Sequence, residues 1–231
     1  MSMRKFVFAL ALAGASAMVA STQVFAGESN RAFWGVQGTF DINIPGDYKT
    51  PVGNFNYQTG CGLSVGVFYN MPLLANLYFE PGVHFYYDTY KMDELTYCSE
   101  DGIPVDVENP KIEKTGFRIP LHIGYRFDIW ENCSLNLYTG PEIGIGTSAK
   151  VKSKYLNDSG IDTNLYSDGY ALDSNGSWHR FSAAWNIGAS LTFSQRYTFG
   201  LTGSIGMTDL VESDKVSFKE NAMRISFAYN F

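Results

Sequence analysis

The chain lacks a basic surplus, a second long hydrophobic run and any metal-ligand spacing. Its 231 residues carry 17 Lys and Arg against 23 Asp and Glu, a formal charge of −6. Nucleic acid requires a basic face, so this balance excludes it as a partner. Three histidines and three cysteines stand at no spacing that would hold a metal, and neither Gly-x-Ser-x-Gly nor a Gly-rich phosphate loop occurs. No cofactor or metal is expected. Past the first 26 residues, no apolar stretch approaches the 18 or so that a membrane-spanning helix needs.

The amino-terminal segment is different in character. Arg4 and Lys5 precede the uncharged run Phe6–Ala20, and Val24-Phe25-Ala26 places small residues at the −3 and −1 positions of a cleavage site. This reads as a secretory signal peptide over Met1–Ala26. The run falls short of the roughly 20 residues of a membrane anchor. Residues 27–231 then form one domain, with 15 basic and 23 acidic side chains and a charge of −8.

What that domain has in abundance is period-two alternation. Aromatic residues make up 16% of the chain, beside 23 glycines, a combination suited to strands rather than helices. Eight segments place apolar and polar residues on opposite faces: Phe33–Ile44, Cys61–Asn70, Leu77–Tyr90, Gly116–Phe127, Ser134–Thr147, Arg180–Phe193, Tyr197–Thr208 and Ala222–Phe231. In the last, Met223, Ile225, Phe227, Tyr229 and Phe231 oppose Arg224, Ser226, Ala228 and Asn230. The connections run long, short, long, short, long, short, long: Pro45–Gly60, Met71–Asn76, Lys91–Thr115, Asp128–Cys133, Ser148–His179, Ser194–Arg196 and Asp209–Asn221. A soluble sandwich or barrel has no reason for that rhythm, whereas a transmembrane barrel has short periplasmic turns and long outer loops. The expected fold is therefore all-β, an eight-stranded antiparallel up-and-down transmembrane β-barrel in the bacterial outer membrane. An even strand number puts both termini on the periplasmic side. Lipid becomes the solvent of the apolar face, which reconciles a membrane protein with a mean hydropathy of −0.12.

An eight-stranded barrel is just wide enough for its own side chains, so the inward residues are the functional question. Glu80, His84 and Asp88 on the third segment share the inward face with Arg118, His122 and Arg126 on the fourth. Symmetric pairing across the loop would oppose Asp88 to Arg118, His84 to His122 and Glu80 to Arg126, with Glu142 reaching Arg118 from the fifth segment. Asp41 and Arg224 would meet near the outer rim where the barrel closes. Opposite charges at one level neutralise rather than conduct, so this ladder is expected to plug the lumen. Catalysis has little to build on. His84 and His122 belong to the lumen, and His179 beside Ser177 is no constellation. Cys61 and Cys98 fall on the same, outer side and could form a disulfide, while Cys133 lies in a periplasmic turn. The long loops are polar and acidic, which leaves them open to an extracellular ligand.

Several short motifs carry a family resemblance. Leu77-Tyr78-Phe79-Glu80-Pro81-Gly82, Ile119-Pro120-Leu121, Tyr125-Arg126-Phe127 and Gly140-Pro141 resemble the PorT-like outer-membrane β-barrel family of Bacteroidota, of the size of OmpA- and OmpX-type barrels. Phe227, Tyr229 and the final Phe231 look like the signal read by the outer-membrane barrel assembly machinery. The resemblance implies a single, monomeric, lipid-embedded barrel without a settled activity. A structural or surface-interaction role is expected, ahead of a component of a secretion or transport apparatus, with a lipid-modifying enzyme last.

Overall fold

The computed structural model describes residues 31–45, 48–50, 53–55, 57–92, 95–98, 104–107, 111–152, 163–166, 178–210 and 219–231. The expected export segment 1–26 lies outside the described residues. Eight strands form the body of the compact unit Ala32–Phe231. They are β1 (Phe33–Pro45), β2 (Tyr57–Leu74), β3 (Leu77–Met92), β4 (Lys111–Trp130), β5 (Cys133–Lys152), β6 (Phe181–Phe193), β7 (Tyr197–Gly206) and β8 (Glu220–Asn230).

Each strand pairs antiparallel with the next. The ring closes where β8 pairs with β1, from Gly35↔Asn230 to Pro45↔Glu220. The result is the all-β up-and-down barrel that the alternation predicts.

The two faces have opposite character, and the inside-out distribution is plain. Leu63, Val65, Ile123, Ile187, Phe199, Leu201 and Ile225 are all about half exposed or more. Asp41, Asn43, Asp88 and Asn186 are wholly buried. A soluble protein would reverse these sets, because burial of apolar area is its main driving force. Here lipid receives the apolar side chains and the lumen must satisfy the polar ones.

Large inward side chains lie over glycines of the neighbouring strand. Phe68 faces Gly35, Tyr78 faces Gly124, Tyr86 faces Gly116 and Tyr138 faces Gly188, each as a direct cross-strand partner. A Cβ added at Gly35 or Gly124 would stand 2.2 or 2.3 Å from the aromatic ring opposite. The glycines thus make room for rings that fill a lumen too narrow for two large side chains at one level.

Two features differ from the expected pattern. First, β2, β4 and β5 have 18, 20 and 20 residues, well beyond the 9–11 needed to cross the bilayer. Strand structure also enters the long connections, as the hairpins Tyr48–Thr50/Gly53–Phe55 and Leu95–Cys98/Pro104–Val107 and as Thr163–Asn164 on the edge of β5. Second, the register of β3 on β4 pairs Glu80 with His122, His84 with Arg118 and Asp88 with Lys114. The symmetric rungs are corrected by four residues. The two-residue turns Ala75-Asn76 and Glu131-Asn132 anchor the far ends of β3 and β4, and β4 runs past the start of β3 by the stagger that barrel closure demands. An even shift leaves every residue on its predicted face.

Because Leu201 projects outward near the middle of β7, Leu201→Arg should destabilise the barrel in lipid by about 2–4 kcal/mol. Denaturant unfolding in liposomes measures this.

Candidate functional site: the charged lumen

The inward face of β1, β3, β4, β5 and β8 converges on one ionic cluster at mid-lumen. Arg118 on β4 donates from Nη1 to Asp41 Oδ2 at 2.5 Å and from Nη2 to Asp88 Oδ2. Its guanidinium lies 4.2 Å from the centre of the Tyr86 ring. Arg224 on β8 donates to Glu142 in a fork, Nη1 to Oε2 at 2.6 Å and Nη2 to Oε1 at 2.8 Å. Longer ion pairs cross-link the two halves, Arg224 Nε to Asp41 Oδ1 at 3.8 Å and Arg118 Nε to Glu142 Oε1 at 3.9 Å. Asp41 and Glu142 each therefore touch both arginines.

Neutral donors add to two of the three carboxylates, while Asp88 Oδ1 is left without a hydrogen bond. Thr39 Oγ1 donates to Asp41 Oδ1 at 2.7 Å, and Asn186 Nδ2 to Glu142 Oε2 at 3.0 Å. Burial of five charges is tolerable only with this degree of pairing and hydrogen bonding.

The lumen divides at this cluster. A turn-side chamber of about 60 Å³ is lined by Glu80, His84, His122, Arg126, Asn136 and Tyr138 among others. A loop-side chamber of about 40 Å³ is lined by Tyr86, Lys114, Ser204, Leu210 and Glu220. Both share Arg118, Glu142 and Arg224 as a common wall. At about 10–15 Å³ for a water, each chamber holds only a few.

Asp41 and Arg224 are direct cross-strand partners, but they lie in this buried centre rather than at the rim. The reason is the length of the loop-side strand extensions, which carries the true rim further out. Glu142 stands opposite Pro120, two positions from Arg118, and gives its closest contacts to Arg224.

In the turn-side chamber, Asn70 donates to Glu80 Oε2 at 2.7 Å and accepts from Arg126 Nη2 at 3.4 Å, bridging the two. Arg126 also donates to Asn136. His122 packs on Tyr138 at 4.8 Å and its Nε2 pairs with Asn186 Nδ2 at 3.2 Å. His84 is buried beside Arg118. His179, by contrast, is exposed, with its N–H on Leu210 O; Ser177 lies outside the described residues.

Sequence reasoning missed a second charged group. Lys114 Nζ donates to Glu220 Oε2 at 2.5 Å, and the Tyr90 hydroxyl donates to Glu220 Oε1. Lys114 is buried, with Tyr86 and Tyr90 within 6 Å. Both charges fell in predicted loops. Their signal was parity: Lys114 continues the inward row of Arg118, and Glu220 that of Arg224. Above them, Leu165, Trp178 and Leu210 are buried, and Tyr166 lies over Gly146.

Cys61 is an exposed free thiol on the outward face of β2, 3.9 Å from Thr89 Oγ1. The expected bridge to Cys98 falls outside the described residues, which do not include the Cys98 side chain; the Cys61 thiol points away from the lumen. Phe227 and Phe231 are exposed aromatics on the outward face. Tyr229 packs against Tyr197 at 5.5 Å and Phe231 at 5.2 Å, and Phe227 against Phe199 at 5.0 Å.

A closed barrel with apolar exterior and charged interior defines an integral outer-membrane β-barrel protein. The family model described as outer membrane protein beta-barrel domain matches residues 23–212, and the chain belongs to that family. Among solved structures it is similar to the outer membrane protein OprG from Pseudomonas aeruginosa, at 9% identity and a TM-score of 0.48 over 87% of this chain and 96% of that one. Neisserial surface protein A is similar at 13% identity and a TM-score of 0.46, over 87% and 100%. LpxR from Salmonella typhimurium is similar at 9% identity and a TM-score of 0.32, over 85% and 100%. No curated protein matches the sequence significantly.

Arg118→Ala leaves Asp41 and Asp88 without their closest cation and should cost about 3 kcal/mol or more. The double change Arg118→Met, Asp88→Asn should cost less, because it removes charge in opposite pairs. The temperature at which the fast-migrating folded band disappears on a gel ranks the variants.

Proposed function

We propose that this is a non-enzymatic outer-membrane barrel with a structural or surface-interaction role, whose lumen carries no large solute flux. The observation behind this reading is the wall of Arg118, Arg224, Asp41, Asp88 and Glu142 between two water-sized chambers. A conducting path would need charges of one sign or a continuous aqueous column, and each carboxylate here is instead held by an arginine. The non-enzymatic part rests on the use of His84 and His122 inside the lumen, out of reach of a lipid substrate.

In this reading the protein is exported by its Met1–Ala26 segment and is a PorT-like barrel of Bacteroidota. It is inserted as a monomer by the barrel assembly machinery through Phe227, Tyr229 and Phe231. Both termini and the short turns face the periplasm, and the long connections face outward, where they meet an extracellular ligand.

Two measurements test the reading. In planar bilayers the purified protein should give no large, stable channels, and such channels in the wild type would overturn the plug. In a Cys98→Ser background, a membrane-impermeant maleimide should label Cys61 on intact cells. Labelling that appears only after permeabilisation would reverse the orientation.

A further inference from the structure

Proline has no N–H, so it is seldom found where a sheet needs a rung. Pro81, Pro120 and Pro141 nevertheless sit well inside β3, β4 and β5, three adjacent strands of a ring without edges. The pairing is interrupted beside each of them. β2 with β3 skips from Phe68↔Gly82 to Met71↔Phe79, β3 with β4 from Pro81↔Leu121 to His84↔Arg118, and β4 with β5 from Pro120↔Glu142 to Ile123↔Thr139. The other five interfaces of the ring run without a break.

The skipped pairs include those that require the missing N–H. Leu121 O lies 2.1 Å from where a Cβ on Gly140 would stand, so Leu121 and Pro141 face each other at a hydrogen-bonded position. Such positions alternate along antiparallel strands. Gly82 with Pro120 and Tyr69 with Pro81 are then the equivalent positions on the next two interfaces. The carbonyls of Tyr69, Gly82 and Leu121 thus lose their ladder donors in one row across the wall.

The row lies beside the ionic cluster, on its turn side. Glu142 follows Pro141, Arg118 is two positions from Pro120, and Pro120 lines the turn-side chamber. Gly82 has no side chain to cover the gap. His84 Nε2 stands 3.1 Å from where its Cβ would be, and has no hydrogen-bond partner.

Below the row, β3 holds β2 through three pairs, and their register shifts between Pro72 and Leu74. Asn70 reinforces that weak seam by its hydrogen bonds to Glu80 and Arg126. The turn-side ends of β3 and β4 carry Tyr78, Glu80, His122 and Arg126, which line the chamber.

We propose that the three prolines form a hinge line. The turn-side ends of β3 and β4, residues 77–81 and 121–130, open from β2 as a flap and admit water and small polar solutes to the chamber. Asn70 is the latch, and the wall of Arg118 and Arg224 stays shut behind it. The flap therefore opens a closed-ended pocket and not a channel, whichever side of the membrane the turns face.

Amide hydrogen exchange of the folded barrel in micelles, read by mass spectrometry and corrected for intrinsic rates, tests the hinge. Residues 121–127 should exchange at least about tenfold faster than 185–191 on β6, which lie at a like distance from their own turn beside an unbroken ladder. Pro81→Ala, Pro120→Ala, Pro141→Ala combined restores the donors and should remove that difference, whereas Asn70→Ala should enlarge it. Entry is read at Ser226, which is buried on β8 and lines the chamber. In a Cys61→Ser, Cys98→Ser, Cys133→Ser background, Ser226→Cys should react with a small methanethiosulfonate, and the triple proline replacement should slow the reaction at least about tenfold. Equal exchange of 121–127 and 185–191 in the wild type overturns the hinge without reference to any variant. An undiminished difference in a triple variant that migrates as the folded band overturns the prolines as its cause. Equal labelling with and without the prolines overturns the flap as the way in, and unchanged exchange in Asn70→Ala overturns the latch.

Discussion

In hydrocarbon an unpaired backbone amide costs several kcal/mol, so a sheet that crosses a bilayer cannot keep an edge. The pairing of β8 with β1 satisfies that constraint, and much else in the molecule depends on it. Closure with eight strands sets a bore that side chains can fill. It also brings Arg224 from the last strand beside Asp41 from the first, 183 positions earlier in the chain. The ionic cluster therefore exists only in the closed ring.

Once the bore is set, the polar interior follows from accounting for charge. Among the described residues, five carboxylates and four cations from the strands point inward at three levels: Glu80 with Arg126, then Asp41, Asp88 and Glu142 with Arg118 and Arg224, then Glu220 with Lys114. The middle level contains the most charge and divides the water-sized space. Rings of Tyr78, Tyr86 and Tyr138, each over a facing glycine, occupy the rest. A lumen built in this way gains specificity of register more surely than net stability, since buried ion pairs often do no better than apolar packing.

Much of this was legible in the residues. Alternation identified each strand and the face of each side chain, because the period of a strand is two and the solvents on its two sides differ. The inward set Glu80, His84, Asp88, Arg118, His122, Arg126 and Glu142 follows from parity alone. The pairing among them does not. Asp88 stands beside Lys114 and not Arg118 in register, yet Arg118 still reaches it, because a long guanidinium side chain spans the two same-face positions that separate them, past the side-chain-free Gly116. Lys114 and Glu220 went unnoticed because the strands continue past the membrane into segments whose polarity reads as loop.

The residues alone were enough for the strand count, the two faces and the lumen side chains within the eight alternating segments, all of which are local consequences of period-two patterning beside lipid. Only the tertiary structure decided the stagger between strands. With it came the partners of each charge and the central position of Asp41 and Arg224. Stagger is a property of the whole ring: each strand's offset must sum to a closed circuit, and no single hairpin contains that information.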